Sequence, residues 1–148
     1  MDLPKILLLG KNGQVGWELQ RTLAPLGQVW ALDYPEIDFA EDAALRKLVL
    51  EHQPQILVNA GAYTAVDKAE SEPDRALLIN GLAPGILAEA AKQIGALLVH
   101  YSTDYVYDGT KRTPYVETDA PNPLSAYGRS KLAGDEAIQQ VGGAHLIF

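Results

Sequence analysis

A chain of 148 residues with 12 lysines and arginines against 19 aspartates and glutamates carries a net charge of −7. No basic stripe marks a nucleic-acid or anionic-membrane surface, and no apolar run approaches the ~20 residues of a membrane span. There is no cysteine and 47% of the residues are apolar, which excludes a disulfide framework and suits one globular domain over 1–148 in a reducing, cytoplasmic setting.

The chain opens Met1-Asp2-Leu3-Pro4-Lys5, without the basic region of a signal peptide, and the apolar run 6–9 is too short for one. Residues 5–9 form a continuous apolar run that stops at Gly10, as in a strand buried on both faces of a parallel sheet. A helical stripe of Val15, Leu19 and Leu23 predicts a helix over 14–26, ending near Gly27. Residues 29–32 predict a second strand closed by Asp33. A helix over 43–52 follows, with Asp42 as N-cap and Pro54 past its end. Residues 56–59 form a third strand. Pro73 opens a long helix toward Gln93, kinked or broken near Gly81 and Pro84. Residues 97–101 form a fourth strand. Four breakers (Gly109, Pro114, Pro121 and Pro123) make 103–125 a long loop, a kind that is usually functional. A helix over 127–140 and a strand over 144–148 complete the chain. Strand and helix alternate throughout, which predicts an α/β fold: a Rossmann-like, doubly wound parallel sheet with helices on both faces. The last strand has nothing after it, so a truncated product or a fragment is expected.

Gly10-Lys11-Asn12-Gly13-Gln14-Val15-Gly16 follows a strand and opens a helix. Glycines there let backbone approach a pyrophosphate, and a helix N-terminus supplies free N–H groups and a positive dipole end. Dinucleotide binding and an ordinary glycine-rich turn both fit. Asp33, 17 residues after Gly16, is either a ribose acceptor or a solvated turn residue. Its charge disfavours a 2′-phosphate and Lys11 offsets it, so NADPH and NADH both stay open. Asn59-Ala60-Gly61-Ala62-Tyr63-Thr64 ends the third strand, where a cofactor passes or where backbone simply packs tightly. Ser102-Thr103-Asp104 ends the fourth at the same sheet edge, and a hydroxyl there suits a carbonyl substrate. His100 reads as a core histidine. Tyr101, Tyr105 and Tyr107 read equally as packing residues or as the lining of a sugar pocket. Glu70, Glu72 and Asp74 read as a solvated helix start.

Tyr127 and Lys131 lie one helical turn apart, so phenol and ammonium share a face. A lysine cation held close brings a phenol from its ordinary pKa near ~10 toward neutrality, making it a usable proton donor.

These segments resemble the extended short-chain dehydrogenase/reductase family over nearly the whole chain. The strings that carry the resemblance are G-K-N-G-Q-V-G-W-E-L-Q from Gly10, A-Y-T-A-V-D-K-A-E-S-E-P from Ala62, H-Y-S-T-D-Y-V-Y-D-G from His100 and Y-G-R-S-K-L-A-G-D-E from Tyr127. The resemblance implies reduction of dTDP-4-dehydro-L-rhamnose by hydride from NADPH or NADH. An epimerase or dehydratase of the same family, or a non-catalytic dinucleotide-binding module, stands as the alternative. It implies that Gly13, Gln14 and Val15 contact the pyrophosphate, that Asp33, Asp38 and Phe39 border the adenosine, and that Ala62, Tyr63, Thr64 and Tyr101 line the rest of the path. Thr103 becomes the catalytic hydroxyl, Asp104 a substrate contact, Tyr127 the proton donor, and Lys131 the ribose ligand that tunes Tyr127. Gly61 stands where the family more often has alanine, an exchange expected to be neutral. A dTDP-sugar substrate, a homodimer and Mg²⁺ are further implications, with Glu18 the one nameable metal ligand. The family's C-terminal substrate-binding part is expected to be absent from this chain.

Overall fold

Ile6, Leu7, Leu8 and Leu9 are all fully buried, because consecutive strand residues point to opposite faces of a sheet that is covered on both. Leu7 and Leu9 enter one cluster with Leu45, Val49, Leu87 and Ile138, while Ile6 and Leu8 enter another with Leu19 and Leu23. Each such side chain contributes about 1.5–3 kcal/mol on leaving water. The computed structural model describes residues 3–148. Met1 and Asp2, the start of the N-terminal reading above, lie outside the described residues.

The elements follow the predicted alternation: β1 (Lys5–Leu9), α1 (Gln14–Leu23), β2 (Gln28–Leu32), α2 (Asp42–His52), β3 (Ile56–Asn59), α3 (Val66–Ala69), α4 (Pro73–Leu77), α5 (Ala83–Ile94), β4 (Leu97–His100), α6 (Ala126–Val141) and β5 (His145–Ile147). The five strands are parallel, in the order β2-β1-β3-β4-β5. Chain direction across the sheet reverses between β1 and β3, the place where such folds open a crevice at the carboxyl ends of the strands. Helix α1 packs on one face, and α2, α5 and α6 on the other, so the doubly wound, Rossmann-like architecture stands.

Several boundaries differ. Helix α1 stops at Leu23 rather than 26, because Pro25 has no N–H with which to continue the ladder. Asp42 is the first helical residue of α2, and Glu41 occupies the cap position without a side-chain bond. The short α3 was not predicted, since four residues carry no readable periodicity. The expected kink near Gly81 is a π-turn over Leu78–Leu82, which joins α4 to α5. Strand β4 ends at His100, and a 3₁₀ turn, Asp104–Val106, opens the long loop. That loop is knotted on Asp108, which accepts hydrogen bonds from Thr110, Tyr115 and Asn122. Those donors hold its carboxyl well below the usual range.

Candidate functional site

At the carboxyl end of β1 the chain turns through Gly10 in the left-handed region, φ +88°. A Cβ there would sit 2.4 Å from the Gly61 amide nitrogen, and one on Gly16 would sit 1.9 Å from the Gly10 carbonyl. Glycine is required at both, Gly10 for conformation and approach and Gly16 for packing. Gly13 caps α1 with no side-chain hydrogen bond, and no acidic residue stands in the first turn. The leading N–H groups of α1 are therefore available to a ligand.

These groups open into a groove of about 650 Å³. Of the expected cofactor residues, Gly10, Gly13, Gln14, Val15, Asp33, Asp38, Phe39, Ala62 and Thr64 line it. Gly16, Tyr63, Tyr101, Tyr127 and Lys131 are not on its walls. Arg75 is, although the sequence reading passed over it. It is exposed, and among the described residues no carboxylate pairs with it. A nicotinamide dinucleotide fits this lining: an uncapped helix terminus and a cation for its phosphates, acids and an aromatic ring for its adenosine.

Asp33 follows the last residue of β2 and ties that strand's end to the glycine turn. One carboxylate oxygen accepts the Asn12 amide at 2.9 Å and the other the Tyr34 amide at 2.8 Å. Lys11 pairs with Glu36 at 2.6 Å, and the lysine's hydrogen bond is the largest influence holding Glu36 below its ordinary pKa.

Phe39 is buried, and its ring fills the space beside Gly61. A Cβ on Gly61 would come within 2.1 Å of the Phe39 Cζ. Alanine at 61 therefore requires the Phe39 ring to move aside in this chain.

Tyr127 stands in the first turn of α6, half-buried, edge-on to Tyr105 with ring centroids 5.6 Å apart. It packs against the small cluster of Ala69, Ala76 and Ala126, as does Tyr63, and the neighbours of Tyr63, Ala62 and Thr64, line the groove. Burial pushes the phenol above its ordinary pKa, the Thr103 hydroxyl draws it down, and Asp104 and Tyr105 push it up. Lys131 is not among these influences, contrary to the expected lysine-depressed phenol. Lys131 is 2% exposed, and its ammonium is turned inward, donating to the Tyr101 carbonyl at 2.5 Å and lying 3.5 Å from His100 Nε2. Burial lowers its pKa and Asp135 raises it.

Behind Lys131 lies a buried polar cluster. Asn59 Nδ2 faces His100 Nδ1 at 3.1 Å, which leaves the ring hydrogen on Nε2 toward Asp135, 3.6 Å away. Burial, reinforced by Lys131, holds His100 down to about 3, so it is a neutral core histidine as expected. Asp135 accepts the Ser102 hydroxyl through one oxygen, while the other is buried without a partner. Burial raises its pKa.

Two contacts that the sequence reading missed position α6. Ser125 caps the helix by accepting the Gly128 amide at 3.0 Å, and Glu70 accepts the Ala126 amide at 2.7 Å. Asn80, buried in the π-turn, accepts from the Tyr63 amide and donates to the Tyr63 carbonyl and the Ser130 hydroxyl. Ser130 in turn donates to the Tyr127 carbonyl at 2.7 Å. A π-turn carrying a buried polar side chain was the available signal, since such turns gather at functional sites. Glu72 accepts the Tyr63 hydroxyl at 2.8 Å. Glu70 and Glu72 are therefore tethers rather than a merely solvated helix start.

Thr103 and Asp104 line a second cavity, of about 730 Å³, beside Ser102, Asp135 and Phe148. Asp104 also borders a third, of about 540 Å³, with Tyr105, Tyr107 and Tyr115. Glu18 is paired with Arg21 at 2.6 Å, and among the described residues no three His, Cys, Asp or Glu gather as a metal site would require. Mg²⁺ therefore finds no support. Among the described residues no helix is long and apolar enough to cross a membrane.

Residues 4–148 match the family model described as RmlD substrate binding domain. A dTDP-4-dehydrorhamnose reductase of Burkholderia thailandensis is 54% identical over 144 residues, 97% of this chain and 48% of the relative. One of Escherichia coli K12 is 52% identical over 147 residues, 97% of this chain and 49% of the relative. The crystal structure of dTDP-4-dehydrorhamnose reductase from Bacillus anthracis in complex with NADP superposes with a TM-score of 0.95 at 34% identity, over 99% of this chain and 53% of that one. The chain spans about half the length of the curated relatives it matches.

Proposed function

Because the chain belongs to the RmlD substrate binding domain family, we propose that it forms the dinucleotide-binding and proton-donating part of an NAD(P)H-dependent reductase. That enzyme converts dTDP-4-dehydro-L-rhamnose to dTDP-L-rhamnose in the cytoplasm and acts as a homodimer. The observation that carries this reading is that the uncapped start of α1 and its glycine turn open into a groove lined by Gly13, Gln14, Val15, Asp33 and Phe39, while Tyr127 stands half-buried in the first turn of α6 against Tyr105.

The leading N–H groups of α1 hold the pyrophosphate between Gly13 and Val15, with Arg75 as a cation on the same groove. Asp33 and Asp38 face the adenosine end, and Phe39 bounds it. When bound, the reduced nicotinamide supplies the hydride. Thr103 orients the C4 carbonyl oxygen, and Tyr127 gives its proton to that oxygen as negative charge develops there. One hydride and one proton convert ketone to alcohol, and solvent reprotonates Tyr127. Lys131, whose ammonium donates to the Tyr101 carbonyl, would be the residue to hold the nicotinamide ribose.

The test is turnover of dTDP-4-dehydro-L-rhamnose with NADPH or NADH, followed at 340 nm and by mass of the product. Tyr127→Phe abolishes reduction and keeps dinucleotide affinity within about twofold, because a phenol oxygen off the groove wall donates a proton without anchoring the cofactor. Turnover retained in that variant overturns the assignment.

A further inference from the structure

Asn59, His100, Lys131 and Asp135 are buried together where the ends of β3 and β4 meet α6. One fixed contact settles where their hydrogens lie. Asn59 Oδ1 accepts the Gly61 amide at 3.2 Å, so its Nδ2 donates to His100 Nδ1 and the ring hydrogen stands on Nε2. His100 Nε2 is 3.5 Å from the Lys131 ammonium and 3.6 Å from Asp135 Oδ1. Neither an ammonium nor a protonated ring nitrogen has a lone pair to offer, so these two nitrogens do not bond to each other. Both are donors, and the acceptor beside them is Asp135 Oδ1, which is buried and has no hydrogen-bond partner among the described residues. The other oxygen of Asp135 already takes the Ser102 hydroxyl.

A proton on Asp135 Oδ1 would add a third donor with nothing to receive it, so this arrangement calls for a carboxylate. A buried ammonium with no counter-charge sheds its proton. We infer that Asp135 is a positioning residue, its free oxygen supplying the counter-charge that keeps Lys131 an ammonium beside the Tyr101 carbonyl. As a statement about ribose binding, the inference rests on the function proposed above. Other acids stand nearby: Asp104, Glu117, Asp119 and Glu136 line the same cavity as Asp135. Glu136 acts on Asp135, but of these acids it is Asp135 whose charge acts on Lys131, so the lysine reports on that one carboxylate.

The experiment follows the Lys131 Cε signal by carbon-13 NMR in the lysine-labelled chain without nucleotide, the signal being assigned by its loss in Lys131→Met. In the wild type it holds the ammonium position at neutral pH. Asp135→Asn, which keeps an acceptor for Ser102, moves the lysine's titration to lower pH. Ser102→Ala, which loosens the same carboxylate but leaves its charge, does not. Fluorescence titrations with NADH and NADPH read the consequence. Relative to the wild type, the affinity of Asp135→Asn falls about three- to tenfold more at about pH 9 than at about pH 7. A neutral Lys131 in the wild type at neutral pH overturns the inference, whether or not Asp135→Asn folds. A lysine titration unmoved by Asp135→Asn, or moved equally by Ser102→Ala, overturns it too. So does an affinity lost equally at both pH values, the mark of a merely structural role. A shifted lysine in a chain that binds neither nucleotide supports the inference and overturns the groove reading.

Discussion

The Glu70 carboxylate accepts the Ala126 amide at 2.7 Å, joining the segment after α3 to the first turn of the helix that carries Tyr127 and Lys131. An anion at a helix N-terminus satisfies an otherwise orphaned N–H and meets the positive end of the dipole. Glu70→Ala is expected to destabilise the fold by about 1–2 kcal/mol, and Glu70→Gln, which keeps an acceptor, by less than half of that. Urea denaturation followed by circular dichroism measures both. Equal losses would show that the carboxylate acts through something other than the amide.

Gly61 and Phe39 form a second coupled pair. Alanine at 61 collides with a buried ring, and overpacking of this kind costs about 1–3 kcal/mol. Gly61→Ala should lower stability by that amount and weaken NADH binding, since the ring borders the groove. Phe39→Leu in the same chain should recover part of the stability. A Gly61→Ala protein as stable as the wild type would contradict the contact.

His100 makes folding depend on pH in a definite direction. Its folded pKa, about 3, lies below the unfolded value near ~6.5, so between these values the unfolded chain binds the extra proton. The stabilisation is complete above about pH 6.5 and is lost as the pH falls toward about 3. Asp135 opposes this: its raised pKa favours the folded state below the unfolded carboxyl value near ~3.8, and that contribution is lost as the pH rises through the folded one. His100→Asn should flatten the fall in unfolding free energy between pH 6.5 and 4.5 by about one to a few kcal/mol. Parallel curves for the two proteins would refute this account.

The Tyr127 phenol, pushed above its ordinary value by burial, should stay protonated throughout pH 6–9 in the protein without nucleotide. Ultraviolet difference titration of wild type against Tyr127→Phe, near 295 nm, should show no ionisation step in that interval. A step near neutrality would mean that Lys131 reaches the phenol after all.

What was legible in the chain was local. The apolar run 5–9, the glycine turn and the one-turn spacing of Tyr127 and Lys131 each express a period or a backbone requirement within a few residues. The tether from Glu70 to Ala126 spans 56 residues, and the brace from Asn80 to Ser130 spans 50. No periodicity encodes such pairings. Helical spacing correctly placed Lys131 one turn from Tyr127, yet it could not say where four methylenes would carry the ammonium. That depended on the Tyr101 carbonyl at the end of a different element. Arg75 was overlooked for the same reason, since only the fold brings it to the wall of the groove.

The wide turn at Leu78–Leu82 makes the length of that stretch matter more than its composition. An α-helix advances about 100° per residue, so deleting any one residue between 78 and 82 would rewind the coil to ordinary pitch. The flanking helices would keep nearly their present orientation, since an i→i+5 turn already takes up one residue more than an i→i+4 turn, but the outward bulge that holds the side chain at position 80 would be gone. Asn80 would then lose either Tyr63 or Ser130, and insertions and deletions should be rejected there even where point changes are accepted.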